Sequence, residues 1–140
     1  MVHKISMGFL GTLSTGAFNN FHRILTVCLL RLPTLQFLNL KSPNSRTSLP
    51  SLNGEHLKII GKSCVGLRYL DISFNTGLKQ EDLLQLIPED INDQDGGQRK
   101  GCPDLETLHI FDCGFSDKCV KTVALKLRNL KSLGEVYCIK

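Results

Sequence analysis

The chain has 140 residues, 41% hydrophobic and 6% aromatic with no Trp, so one domain's length of chain must bury an aliphatic core. A formal charge of +4 is too mild to point to nucleic acid by itself, and no stretch approaches the ~18 apolar residues of a membrane span. The charge is unevenly placed: residues 81–95 carry Glu81, Asp82, Glu89, Asp90, Asp93 and Asp95 with no Lys or Arg, whereas residues 116–140 carry six basic and two acidic side chains.

In chain order, residues 1–20 read as a flexible N-terminal lead-in to a repeat domain over 21–140. "MVHKISMGFLGTLSTGA" has the basic start, short apolar stretch and small residues of a secretory leader, but Gly and Thr dilute the apolar stretch. The lead-in is the preferred reading. "FHRILTVCLLRLPTL" then spaces apolar residues as a helix does and runs into "LQFLNLKSP" at 35–43, with Leu35, Leu38 and Leu40 in register. After an insertion, "SRTSLPSLNG", a second helical pattern, "EHLKIIGKSCVGL", puts Leu57, Ile59, Ile60 and Cys64 mostly on one face and turns Lys58 and Lys62 outward. It leads into "LRYLDISFN" at 67–75. "EDLLQLI" opens a third helix, which Pro88 stops, and an acidic insertion follows at 88–100. "LETLHIFDC" at 105–113, the helical "CVKTVALKLRNL" and an eroded copy, "LKSLGEVYC", complete the chain, with Glu135 standing where an aliphatic residue belongs.

The stretches at 67 and 105 share Leu-x-x-Leu-x-Ile-x-x-Asn/Cys, those at 35 and 130 keep its first and fourth leucines, and the starts at Leu35, Leu67, Leu105 and Leu130 lie 32, 38 and 25 residues apart. A leucine-rich repeat runs about 20–29 residues on this core pattern, so the last interval fits directly and the others fit with insertions. Strands are expected near 35–41, 67–73, 105–111 and 130–136. Alternate leucines on a short strand point to one face. A helix behind buries them, and the next strand pairs in parallel, so each unit depends on its neighbours. The ninth position lies where the chain turns away from the strand and strands backbone groups. Asn75 offers a donor and an acceptor there, and Cys113 a weak donor. Pro43 offers neither, and Asn44 is its expected substitute.

"EHLKIIGKSCVGLRYLDISFN" and "GCPDLETLHIFDC-GFSD" resemble the cysteine-containing leucine-rich repeats of the ribonuclease-inhibitor-like superfamily, above all those of F-box/leucine-rich-repeat proteins. The Cys-Pro-x-Leu at Cys102, the Cys113 turn and the Ser116–Asp117 helix opening carry the likeness, which covers roughly residues 21–134. The resemblance implies an α/β fold: a curved, right-handed solenoid of three to four repeats, with short parallel strands on the concave face and helices on the convex face. It also implies that the strand face binds another protein, which in F-box relatives is a substrate delivered to a ubiquitin ligase. No F-box pattern is seen before the first repeat.

By register the residues between the leucines face outward on the strand side. They are Phe37, Asn39 and Lys41; Tyr69, Asp71 and Ser73; and Thr107, His109 and Phe111, with Phe74 and Asp112 at strand ends. Aromatics among polar groups are what partner surfaces favour, and these residues form the candidate binding face. The insertions are a second candidate, although the acidic one reads first as a spacer.

Catalytic and cofactor chemistry find no support. Cys28, Cys64, Cys102, Cys113 and Cys119 read as small buried thiols, which favour a reducing compartment, cytoplasmic or nuclear. A zinc site from His109, Cys113 and Cys119 lacks a common ligand spacing, and no metal or other cofactor is expected. "DGGQ" lacks the Lys-Ser/Thr of a phosphate loop. "EDINDQDGG" lacks the ligand register and closing Glu of a calcium loop. His3, His22, His56 and His109 have no nucleophile motif beside them. The chain therefore reads as a protein-interaction module and not an enzyme. The alternative is a structural or truncated repeat fragment without independent activity.

Overall fold

The computed structural model describes residues 4–6, 15–42, 52–89 and 100–134, with backbone alone over 15–21. Five three-residue strands, β1 (Lys4–Ser6), β2 (Phe37–Asn39), β3 (Tyr69–Asp71), β4 (Thr107–His109) and β5 (Ser132–Gly134), form one parallel sheet in chain order. Helices α1 (Thr15–Arg31), α2 (Gly54–Ser63), α3 (Gln80–Leu83) and α4 (Asp117–Lys126) occupy the connections, and a 3-10 turn at Leu84–Leu86 prolongs α3. The α/β class and the parallel sheet are those read from the sequence.

Parallel neighbours need a crossover between them, and the helices supply it. Register is the same at every pairing: Ile5, Leu38, Leu70, Leu108 and Leu133 stand side by side across the five strands. Pairing also continues past the strand ends. Leu40 N–H donates to Asp71 O at 2.7 Å, Ile72 N–H to His109 O at 3.0 Å and Phe74 N–H to Phe111 O at 2.7 Å.

The leucine side of the sheet joins the inner faces of the helices in one core. Leu38, Leu70 and Leu108 are fully buried there with Leu25 and Leu29 of α1, Leu57 and Ile60 of α2, Leu83 of α3, and Val120 and Val123 of α4. Spacings of three and four residues put those helical side chains on one face. Each such side chain contributes roughly 1.5–3 kcal/mol on burial. No helix among the described residues is long and apolar enough to cross a membrane.

One departure from the sequence reading concerns the first unit. Residues 1–20 were expected to lie outside the array as a lead-in, but Lys4–Ser6 form a strand paired to β2, and α1 begins at Thr15. The reason is local: Ile5 alone supplies the aliphatic contact beside Leu38, so the strand carries no leucine pattern to read. In the third unit the helix is only four residues long before the turn, with Ile87 extended ahead of Pro88. The Pro43–Asn44 turn, the loop from 45 through Ser51, residues 90–99 of the acidic insertion, Glu135, the end of the fourth strand at 136 and Cys138 lie outside the described residues.

A histidine pair joins α1 to α2. Asn53 caps α2, its Oδ1 accepting from Glu55 N–H at 3.0 Å and His56 N–H at 3.3 Å. His56 Nδ1 accepts from Asn53 N–H at 3.1 Å in return, completing a capping box with His in the place of Glu or Gln. Its other nitrogen, Nε2, lies 2.9 Å from His22 Nδ1. A neutral His56 that accepts at Nδ1 carries its proton on Nε2, which donates to His22. Burial, and then the neighbouring His22, push the His56 pKa down from 6.5 to about 4. The unfolded chain therefore binds the extra proton between those values, so this contribution is fully present above pH 6.5 and is lost as pH falls through 4. Denaturant midpoints are expected to rise from pH 4 to pH 6.5. In His56→Gln, which keeps a capping side chain without the titration, that rise is expected to shrink.

Candidate partner-binding face

The face opposite the leucines carries two rows that follow from strand register. One runs Lys4, Phe37, Tyr69, Thr107, Ser132, and the other Ser6, Asn39, Asp71, His109, Gly134. Register alone brings the aromatic residues into contact. The Phe37 and Tyr69 rings stack with centroids 4.1 Å apart and planes 7° from parallel, and Lys4 Nζ lies 4.4 Å from the Phe37 centroid. Tyr69 meets His109 edge-on at 5.4 Å, and His109 meets Phe111 at 5.6 Å. A continuous aromatic path thus crosses the sheet from β2 to the end of β4, with Lys4 of β1 over its first ring. Aromatic pairs of this kind add about 0.5–1.5 kcal/mol beyond area burial.

Gly134 completes it on β5. A Cβ there would come within 2.5 Å of His109 Cδ2 and 2.8 Å of Phe111 Cε2. The absent side chain is what lets both rings lie down over β5.

Polar groups are interleaved with the rings. His109 Nδ1 is 3.3 Å from Tyr69 Oη and 3.6 Å from Asp71 Oδ2. With Nδ1 bare, the Tyr69 hydroxyl donates to it; with a proton on Nδ1, that N–H faces the Asp71 carboxylate. Burial, then the Asp71 charge, raise the Tyr69 pKa, so the hydroxyl keeps its proton and stays a donor.

Of the residues expected on this face, Phe37, Asn39, Tyr69, Phe74, Thr107, His109 and Phe111 are half-buried, while Lys41 and Asp112 are exposed. Asp71 and Ser73 depart from the expectation, being 6% and 0% exposed. Asp71 Oδ1 accepts from Ser73 N–H at 2.9 Å, and Ser73 Oγ accepts from Phe111 N–H at 3.1 Å. Their alternation in sequence points them outward, but the turn after β3 folds both into backbone hydrogen bonds. They shape the face while being buried in it. Phe74 (φ 64°) and Asp112 (φ 50°) occupy equivalent left-handed positions in the turns after β3 and β4. Lys41 Nζ sits 5.1 Å from the Phe74 centroid.

The turns themselves are locked from below. Buried Asn75 Nδ2 donates to Leu40 O at 3.0 Å, Ile72 O at 2.7 Å and Ser73 O at 3.3 Å, and its Oδ1 accepts from Leu52 N–H at 3.0 Å. Cys113 Sγ reaches the equivalent pair one unit on, Ile72 O at 3.2 Å and Phe111 O at 3.5 Å. Burial pushes the Cys113 thiol up to about 12 and Cys64 up to about 11, and raises Cys102 as well. These groups are protonated donors, not nucleophiles.

Sequence reasoning missed three contributors: Lys4, Gly134 and a charged row at the foot of the strands. In that row Arg68 Nη2 meets Glu106 Oε1 at 2.6 Å, and Lys131 Nζ meets Glu106 Oε2 at 3.4 Å. Hydrogen bonding by Arg68 lowers the pKa of the half-buried Glu106. The alternation Arg68, Glu106, Lys131 one residue before each strand was the available signal. The set-aside zinc grouping is dispersed: Cys119 Sγ donates to Gln80 O at 3.3 Å while His109 sits on the sheet face. Among the described residues no three His, Cys, Asp or Glu side chains are placed to hold a metal ion.

Fold and site together define an α/β protein with a five-stranded parallel sheet and one aromatic-lined sheet face. No protein-family model matches the chain, and no curated protein matches its sequence.

Proposed function

We propose that the chain is a leucine-rich-repeat solenoid that binds another protein on its strand face. The observation that carries this reading is the aromatic path Phe37–Tyr69–His109–Phe111, partly exposed and bordered by Lys4, Lys41 and Asp112. Rigid aromatic side chains with polar tips contribute contact area at low entropic cost and are enriched at the energetic centres of interfaces. Equal strand register and the matched Asn75 and Cys113 turns support the repeat assignment.

The likeness to F-box repeats supports substrate recognition for a ubiquitin ligase as the setting. Five cysteines among the described residues are free thiols, which supports a cytosolic or nuclear location. The test is capture from cytosol by the wild-type chain and by a Phe37→Ser/Phe111→Ser variant. Partners, with ubiquitin-ligase subunits among them, are expected on the wild type and reduced on the variant. Equal recovery on both contradicts the assignment of this face.

A further inference from the structure

We propose a second binding site on the helical side, a trough that takes an acidic amphipathic helix of a partner protein. Its origin is the shortness of α3. Four helical residues and a turn stand where the neighbouring connections hold helices of ten residues, and the row of helices dips between α2 and α4. The resulting cleft of about 610 Å³ is walled by Lys58 and Lys62 of α2 on one side and Thr122 and Lys126 of α4 on the other. Each wall pair is one helical turn apart, so the two walls present their polar groups in matching rows.

The floor is apolar and built from backbone in close contact. Leu84, 42% exposed, and Ile87 supply its hydrophobic surface. Beneath them a side chain at Gly61 would strike the Gln85 carbonyl, and one at Gly101, whose φ is +81°, would strike the Ile87 carbonyl. Gly101 N–H donates to Gly61 O at 2.6 Å, and Cys102 N–H to Leu86 O at 2.9 Å. A floor fixed in this way cannot rise to fill the dip.

Charge selects the occupant. Lys100 pairs with Glu89 at 3.1 Å at one end of the trough. Lys58, Lys62 and Lys126 make no ion pair among the described residues. Three lysines around exposed Leu84 and half-buried Ile87 match a helix with leucines on one face and carboxylates flanking them, the helix-in-groove mode of recognition. Such a helix would restore the missing member of the row.

The experiment is fluorescence anisotropy with a fluorescein-labelled helical peptide of about three turns, Leu on one face and Glu at its flanks. Four proteins are compared: wild type, Lys62→Glu/Lys126→Glu, the equally charged control Arg23→Glu/Arg31→Glu on α1, whose residues are exposed and do not line the trough, and Asp90→Asn/Asp93→Asn/Asp95→Asn. The last removes acidic groups lying in sequence between the lining residues Glu89 and Lys100. Circular dichroism confirms that each is folded. Binding by wild type, or by the loop-neutralised protein alone, supports the site when the Lys62/Lys126 reversal weakens it about tenfold or more and the control does not. Serine in place of the peptide's leucines is also expected to weaken it. Equal loss in both reversal variants, indifference to the serine exchange, or no binding by either wild type or the loop-neutralised chain would overturn the proposal.

Discussion

Asn75→Ala is expected to destabilise the protein by at least about 2 kcal/mol, because it strips partners from buried backbone groups and fills nothing in return. The side chain serves Leu40 O, Ile72 O, Ser73 O and Leu52 N–H from a site only 3% exposed. Water cannot replace it there. Asn75→Cys is the informative companion, since Cys113 already serves the matching carbonyls of the next unit. The cysteine variant is expected to fall between wild type and alanine in urea denaturation. A cysteine variant no better than alanine would show that the two turns are not equivalent.

The second large effect lies in the leucine row. Leu70→Ala and Leu108→Ala each remove a fully buried side chain from the middle of the sheet, and each is expected to cost about 2–5 kcal/mol. Neighbouring units rest on the same row, so the losses should appear as one cooperative transition at lower urea and not as a separate early phase. Leu133→Ala is the control. Its side chain is only half-buried at β5, and a much smaller loss is expected. A change below about 0.5 kcal/mol for Leu70→Ala would contradict the core described above.

The strand positions were legible because the pattern is dense. The expected spans 35–41, 67–73 and 105–111 are centred on β2, β3 and β4, since alternating leucines fix both face and register at once. β1 was not legible, as one isoleucine between Lys4 and Ser6 makes no pattern. Helix ends were readable where caps are strong, as at Ser116, whose Oγ accepts from Cys119 N–H. Pro88 likewise marked the early end of the third helix.

The candidate face was readable as a list but not as a surface. Alternation named Tyr69, His109 and Phe111, yet only strand register shows that their rings meet, and Gly134 leaves the space that the His109 and Phe111 rings occupy. Alternation also placed Asp71 and Ser73 outward, where local backbone hydrogen bonds in the turn prevailed. The His22–His56 pair and the lysine trough join residues that are distant in sequence, with no local periodicity to announce them.

The most direct test of the strand face as the binding surface is site-specific photocrosslinking in cytosol. A photoreactive residue at Thr107 sits in the aromatic row between Tyr69 and Ser132, and one at Lys118 sits on the exposed side of α4. The account predicts a discrete adduct from position 107, lost when Phe37→Ser/Phe111→Ser is added, and none of the same mass from position 118. An adduct from 118 that persists with the double substitution, with none from 107, would contradict it.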